Sequence, residues 1–195
     1  MSRGQLFLLR HGETEWARAG RHTGRTDLPL TPDGEAAARA RRADLQSTSF
    51  GLVLTSPLQR ARTTAALALE GADVAAEVVD DLAEWNYGQF EGLTTAEIRA
   101  KLNKPDWLIW DTAIPDGEQL SDVAARAQRV IARVLPTLLA GRNCLCVAHG
   151  HFLRILTAAW LDLEPRAARL WLLKAAGLCV LGHEREQRVI VEWNK

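Results

Sequence analysis

The stretch Leu6-Phe7-Leu8-Leu9-Arg10-His11-Gly12 decides how this chain folds. A short, uninterrupted apolar run that ends in a glycine-bearing turn reads as a strand buried on both faces, as in parallel sheets. The run stops at Arg10-His11-Gly12, and Glu13-Thr14-Glu15-Trp16 follows at once. A permanent cation and a titratable imidazole are thereby delivered to the carboxyl edge of a sheet, where open α/β folds bind their ligands. That pairing suits a phosphate ester.

Outward from this strand the pattern alternates strands and helices. It predicts a three-layer α/β/α sandwich around a mostly parallel, doubly wound sheet, with one antiparallel edge strand. Thr31-Pro32 reads as the N-cap and first residue of a helix reaching about Gln46. Leu52-Val53-Leu54-Thr55 is a second buried strand. Ser56-Pro57-Leu58-Gln59 has the capping-box form, so a helix is expected from Ser56 to about Leu69 with Arg60 in its first turn. Glu77-Val78-Val79 is a third strand. The stretch from about 80 to 120 is an irregular, lid-like excursion carrying Trp85, Trp107 and Trp110 and a further capping box, Thr94-Thr95-Ala96-Glu97. Ser121 is read as the cap of a helix with the apolar stripe Val123, Ala127, Val130, Val134 and Leu138, which Pro136 should kink or shorten. Cys144-Leu145-Cys146-Val147-Ala148 then repeats the logic of the first strand and runs into His149-Gly150-His151. A helix from Phe152 to about Leu163, another after Pro165, and strands near 178–181 and 189–193 complete the chain.

Composition limits the partners. The chain has 195 residues, read as one domain over 1–195, and its 24 basic residues equal its 24 acidic ones. No global field draws it to nucleic acid or to an acidic membrane, so an anion site must be local. The amino-terminal apolar run is too short for a signal segment and nothing resembles a membrane span, which leads us to expect a cytoplasmic protein. The three cysteines, Cys144, Cys146 and Cys179, lack C-x-x-C spacing and read as buried thiols. A monomer and a homo-oligomer fit the sequence equally.

Three distant segments share one design, a buried strand followed within a few residues by histidine or arginine. They supply Arg10 with His11, then Arg60, then His149. Parallel strands end on one edge, so these side chains are expected to converge into a cationic pocket. Arginine forks match phosphate oxygens, and neighbouring cations oppose protonation of His11, keeping a ring nitrogen free to attack phosphorus. A leaving alkoxide needs a proton, and Glu84, directly after the third strand, is the acid best placed to give it and then to activate water.

The chain resembles the histidine phosphatase superfamily, also called the phosphoglycerate mutase-like family, over nearly its full length. Leu9-Arg10-His11-Gly12-Glu13-Thr14-Glu15-Trp16 matches the first motif, with Thr23-Gly24, Leu30-Thr31 and Gly34 following in order. Ser56-Pro57-Leu58-Gln59-Arg60-Ala61-Arg62-Thr63 matches the second, Glu84 opens the third, and Val147-Ala148-His149-Gly150 is the fourth. The resemblance implies His11 as phosphorylated nucleophile, Arg10, Arg60 and His149 as the phosphate pocket, Glu84 as proton donor, and neither metal nor cofactor. Thr23, Gly24 and Gly150 are the expected substrate-binding neighbours.

The stretches 84–92 and 107–118 look most like a phosphatase branch that includes sedoheptulose-type sugar bisphosphatases and broad acid phosphatases. There, an arginine placed like Arg154 is expected to hold a second phosphate. The substrate expected is a small phosphate monoester. Ala17, where mutases usually carry asparagine, and a short middle favour hydrolysis over mutase chemistry. The alternatives are mutase-type phosphoryl transfer and a phosphate-binding regulatory module. A metal-dependent hydrolase built on His11, His22, His149 and His151 would set a cation against two arginines. A cysteine phosphatase lacks its Cys-to-Arg spacing, and no P-loop is present.

Overall fold

The structure is a computed structural model that describes residues 3–195. Six strands form one sheet: β1 (Leu6–Arg10), β2 (Phe50–Thr55), β3 (Ala76–Val78), β4 (Asn143–Ala148), β5 (Leu178–Glu184) and β6 (Gln187–Glu192). Their order is β3-β2-β4-β1-β5-β6. The first four are parallel, with Leu9 opposite Val147 and Leu54 opposite Cys146. The helices are α1 (Glu15–Arg18), α2 (Pro32–Ala40), α3 (Arg42–Leu45), α4 (Gln59–Ala68), α5 (Thr95–Leu102), α6 (Leu120–Leu139) and α7 (Gly150–Trp160).

Strand alternation builds two cores. Leu6 and Leu8 on β1, Cys144 and Cys146 on β4 and Leu181 on β5 join Val123, Val130, Phe152 and Leu156 of α6 and α7. Phe7 and Leu9, with Leu145, Val147 and Val180, meet Leu45 of α3 and Ala61 and Ala65 of α4 on the other face. Burial on both faces is why β1 reads as an unbroken apolar run.

The sheet is mostly parallel with an antiparallel edge, as expected: β5 runs against β1, and the edge strand β6 pairs antiparallel with β5. The chain re-enters beside β1 at the carboxyl edge, where Ala176 N–H donates to His11 O and Arg10 N–H to Gly177 O. No crossover carries it back to the amino edge first, so it has to run down against β1. Other expectations need correction. The helix from Pro32 breaks at Arg41, whose N–H turns to Ala38 O at 3.2 Å. β3 starts one residue before the expected Glu77.

Ser56 does not cap a helix. α4 starts at Gln59, and the carboxylate of Asp27 accepts the Gln59 amide at 2.8 Å, while the Ser56 hydroxyl is engaged by His149. At α6 the cap is Gln119, whose amide donates to Asp122 at 2.8 Å, and Ser121 lies inside the helix. Pro136 does not end α6, which runs on to Leu139. The carbonyl it leaves unbonded is that of Ala132, on the helix's exposed side, where solvent can serve it. α7 begins at Gly150, two residues before Phe152, and stops at Trp160, and a 3-10 turn over Pro165–Leu170 stands where another helix was expected.

Between β3 and α6 no strand forms. The stretch is built from α5 and short 3-10 turns and carries Trp85, Tyr87, Phe90, Trp107 and Trp110 into the core on the α6 side.

Candidate active site

The carboxyl ends of β1 and β4 meet at one edge of the sheet, and a cavity of about 440 Å³ opens there. Arg10, His11, Glu84, Gly150, Thr23 and Arg154 all line it. Arg60 and His149 do not. Both are 0% exposed and adjoin the site from within the protein, the rings of His11 and His149 standing 5.1 Å apart.

His11 is held at both ends. Its N–H donates to Ala148 O of β4, and its ring Nδ1–H donates to Gly12 O at 2.6 Å. A carbonyl only accepts, so the proton sits on Nδ1 and Nε2 keeps its lone pair. Burial, then the charges of Arg10 and Arg60, hold the imidazole well below its usual pKa. The Gly12 backbone beside it is pinned by Thr64, whose hydroxyl accepts Gly12 N–H at 3.0 Å and donates to Arg60 O at 2.7 Å.

Arg10 donates from Nη1 to Leu173 O at 2.6 Å, and its Nε is buried without a partner. A Cβ on Gly150 would stand 3.2 Å from that Nε, so glycine lets α7 start against the guanidinium.

Four of the five N–H groups of Arg60 are engaged within the protein. Its Nη atoms donate to the carbonyls of Thr23, Gly24 and Thr26 at 2.8 to 3.1 Å, and its Nε donates to His149 Nδ1 at 3.2 Å. His149 is therefore neutral, and its Nε2–H donates to Ser56 Oγ at 2.7 Å. Burial followed by Arg60 lowers the His149 pKa well below the usual value. Gly24 is turned from the cavity, because the carboxylate of Glu91 accepts its amide, and that of Thr26, at 2.9 to 3.0 Å. The amides at the start of α4 are likewise taken up within the protein, Leu58 N–H by Ser56 Oγ at 3.3 Å and Gln59 N–H by Asp27 at 2.8 Å.

Glu84 is 5% exposed and closes the opposite wall. Its Oε1 accepts the amides of Trp85 and Phe152, both at 2.9 Å, and Oε2 accepts that of His151 at 3.1 Å. The carboxyl thus caps α7, satisfying two first-turn N–H groups that lack intrahelical partners. Arg126 of α6 secures this segment by donating to Asp81 O and Ala83 O and pairing with Glu118 at 2.7 Å.

The site residues that sequence reading missed are these supports: Thr64, Glu91, Glu118 and Arg126. Arg126 had left a trace, since it is a charge at i+3 of the stripe begun by Val123 and next to Ala127, a place where an unpaired arginine is costly. Arg154 donates from Nε to Ala168 O at 2.9 Å and rests 4.7 Å over the Trp110 ring. His22, His151, Tyr87, Trp107 and Leu172 also line the cavity.

The chain is similar to known proteins over most of its length. An acid phosphatase of Mycobacterium tuberculosis is 39% identical over 186 residues, covering 94% of this chain and 89% of that protein. A sedoheptulose 1,7-bisphosphatase of Saccharomyces cerevisiae is 36% identical over 184 residues, covering 82% and 68%. Relatives at 38% identity also include a 2,3-bisphosphoglycerate-dependent phosphoglycerate mutase of Gloeobacter violaceus. The solved structure of an open reading frame product of Mycobacterium tuberculosis superposes with a TM-score of 0.90 at 37% identity, covering 98% of this chain and 97% of that one. Residues 6–195 match the family signature, and the chain belongs to the histidine phosphatase superfamily (branch 1).

Proposed function

We propose that this chain hydrolyses small phosphate monoesters through a phosphohistidine on His11, without a metal. The observation that carries the reading is the Nδ1–H of His11 donating to Gly12 O at 2.6 Å, which leaves Nε2 as a lone-pair donor at the cavity wall. The Nε2 lone pair attacks phosphorus, and the bond to the ester oxygen breaks. Arg10 lines the cavity, and its guanidinium suits the phosphoryl oxygens as their charge grows.

Glu84 gives its proton to the departing alkoxide. Its Oε1 already accepts two amides and Oε2 one, so Oε2 has the room to carry that proton. In the second half the carboxylate takes a proton from water, the water oxygen attacks phosphorus, the P–N bond breaks, and phosphate leaves with His11 restored. Arg60, His149 and Ser56 hold the surrounding loops in register. Arg154 on Trp110 offers a cation for the far end of a substrate such as a phosphorylated sugar.

The test is phosphate release, with a chelator present, from 4-nitrophenyl phosphate and a panel of sugar mono- and bisphosphates, for the wild type and His11→Ala. Turnover that survives chelation and is lost in the variant supports the reading. Turnover retained by the variant overturns it, as does phosphoryl transfer between positions of phosphoglycerate with little free phosphate.

A further inference from the structure

Two imidazoles that line the cavity have no part in the phosphoryl chemistry above. His22 donates from Nδ1 to Leu93 O at 2.9 Å. Because a carbonyl cannot donate, the proton stays on Nδ1 and Nε2 is an acceptor. The Tyr87 hydroxyl lies 2.5 Å from His151 Nδ1. Tyr87 is 2% exposed and its hydroxyl has no other acceptor among the described residues, so we assign its proton to this bond, which puts the His151 hydrogen on Nε2 and makes that nitrogen a donor. The two rings are stacked, 6.2 Å between centroids and 26° between planes. Both line the cavity, neither Nε2 has a partner among the described residues, and neither is sealed off from the cavity.

One acceptor beside one donor is the complement of a hydroxyl group, which gives one hydrogen and takes another. A carboxylate or a phosphate dianion has only acceptor oxygens and would face the His22 lone pair unmatched. Charging His22 to suit an anion is opposed by its burial, which lowers its pKa. The aromatic setting keeps both rings in place: Tyr87 meets His22 edge-on at 5.1 Å, and Trp110 meets His151 at 4.8 Å.

We infer that His22 and His151 form a hydroxyl-reading subsite, so that the preferred esters carry a free hydroxyl on the leaving group. The inference rests on the phosphatase reading, and it specifies that reading's substrate class as polyol-type phosphates. It makes His22 a specificity residue.

The experiment compares glycerol 3-phosphate with n-propyl phosphate, two esters of equal carbon number that differ in hydroxyls. Binding is measured by calorimetry in the His11→Ala background, where turnover cannot intervene, and kcat/KM is measured in the wild type. We expect the glycerol ester to bind about tenfold more tightly, in keeping with one to two net hydrogen bonds. Adding His22→Phe, which keeps an aromatic ring and removes the acceptor, should bring the ratio of the two esters near one; His22→Gln, with an acceptor at similar reach, should restore part of it. Equal binding of the two esters, or a ratio that survives His22→Phe, overturns the subsite. Turnover of 4-nitrophenyl phosphate by the wild type is read separately: its absence overturns the phosphatase reading while the binding ratio still decides the subsite.

Discussion

Arg60 Nε donates to Nδ1 of His149, and this bond assigns every proton in the network beneath the nucleophile. A guanidinium has no acceptor, so the imidazole is neutral and passes its own hydrogen to Ser56. The pair therefore behaves as an internal strut that carries the loop of Thr23, Gly24 and Thr26 on the arginine fork.

Arg60→Ala should cost stability as well as activity. It strands three carbonyls and one ring nitrogen at a buried site, and a loss of about 3 kcal/mol is expected from unsatisfied groups of that kind. Urea denaturation measures it. Arg60→Lys should recover little, because an ammonium cannot span the carbonyls and His149 together; near-complete recovery would show that charge alone matters there.

Glu84→Gln should slow esters in proportion to how badly their leaving group needs a proton. Alkyl phosphates are expected to lose roughly 10²–10⁴ in kcat, the usual worth of a general acid. With 4-nitrophenyl phosphate, whose phenolate leaves unaided, the loss should be smaller. A plot of rate against leaving-group pKa for both enzymes checks this, and parallel lines would remove Glu84 from that role.

Stability should fall as the medium is acidified from pH 7 toward pH 5. Burial comes first among the causes that hold His11, His149 and His151 well below the usual histidine value, and nearby arginines add to it. In the unfolded chain these residues protonate near pH 6.5, whereas in the folded protein they stay neutral. Their contribution is complete above pH 6.5 and is lost as pH falls toward the folded values, at up to ~4 kcal/mol per pH unit for three protons. Calorimetric unfolding at pH 5.5 in two buffers of different ionisation enthalpy should show uptake of about three protons from these residues, and His151→Gln should lower the uptake by about one.

Gly150→Ala should separate binding from folding. The new Cβ would stand 3.2 Å from Arg10 Nε and 3.3 Å from its Cζ, so the guanidinium must move by a few tenths of an ångström. KM for phosphate esters is expected to rise about fivefold to tenfold, since a displaced fork loses bidentate geometry, with little change in melting temperature. Gly20→Ala makes a control for added bulk, having open space at Cβ but a φ of +67°.

Much of the site is local information. An apolar run ending in Arg10-His11 states both a buried strand and what stands at its end, because strand burial and strand polarity are properties of a few neighbouring residues. The same holds for β4 with His149 and for the edge of the sheet at which both emerge. Ser56 departs from its local pattern for the opposite reason. As a local pattern it caps a helix, but in the fold His149, 93 residues away, engages that hydroxyl, and Asp27 caps α4 instead. A cap is decided by whichever partner tertiary packing brings nearest.

By itself, then, the sequence determined the alternation of strands and helices, the edge where chemistry gathers, and the identity of Arg10, His11 and Glu84 as the groups that line it. Only the tertiary structure decided which side chains face the cavity and which support it from behind. Arg60 and His149 read like pocket residues and are fully buried, while His22 and His151, 129 residues apart, become stacked neighbours. Backbone patterning is set by short-range sterics and hydrophobic periodicity. The direction and protonation of a buried polar side chain are set by the donors and acceptors that packing places around it, and those come from every part of the chain.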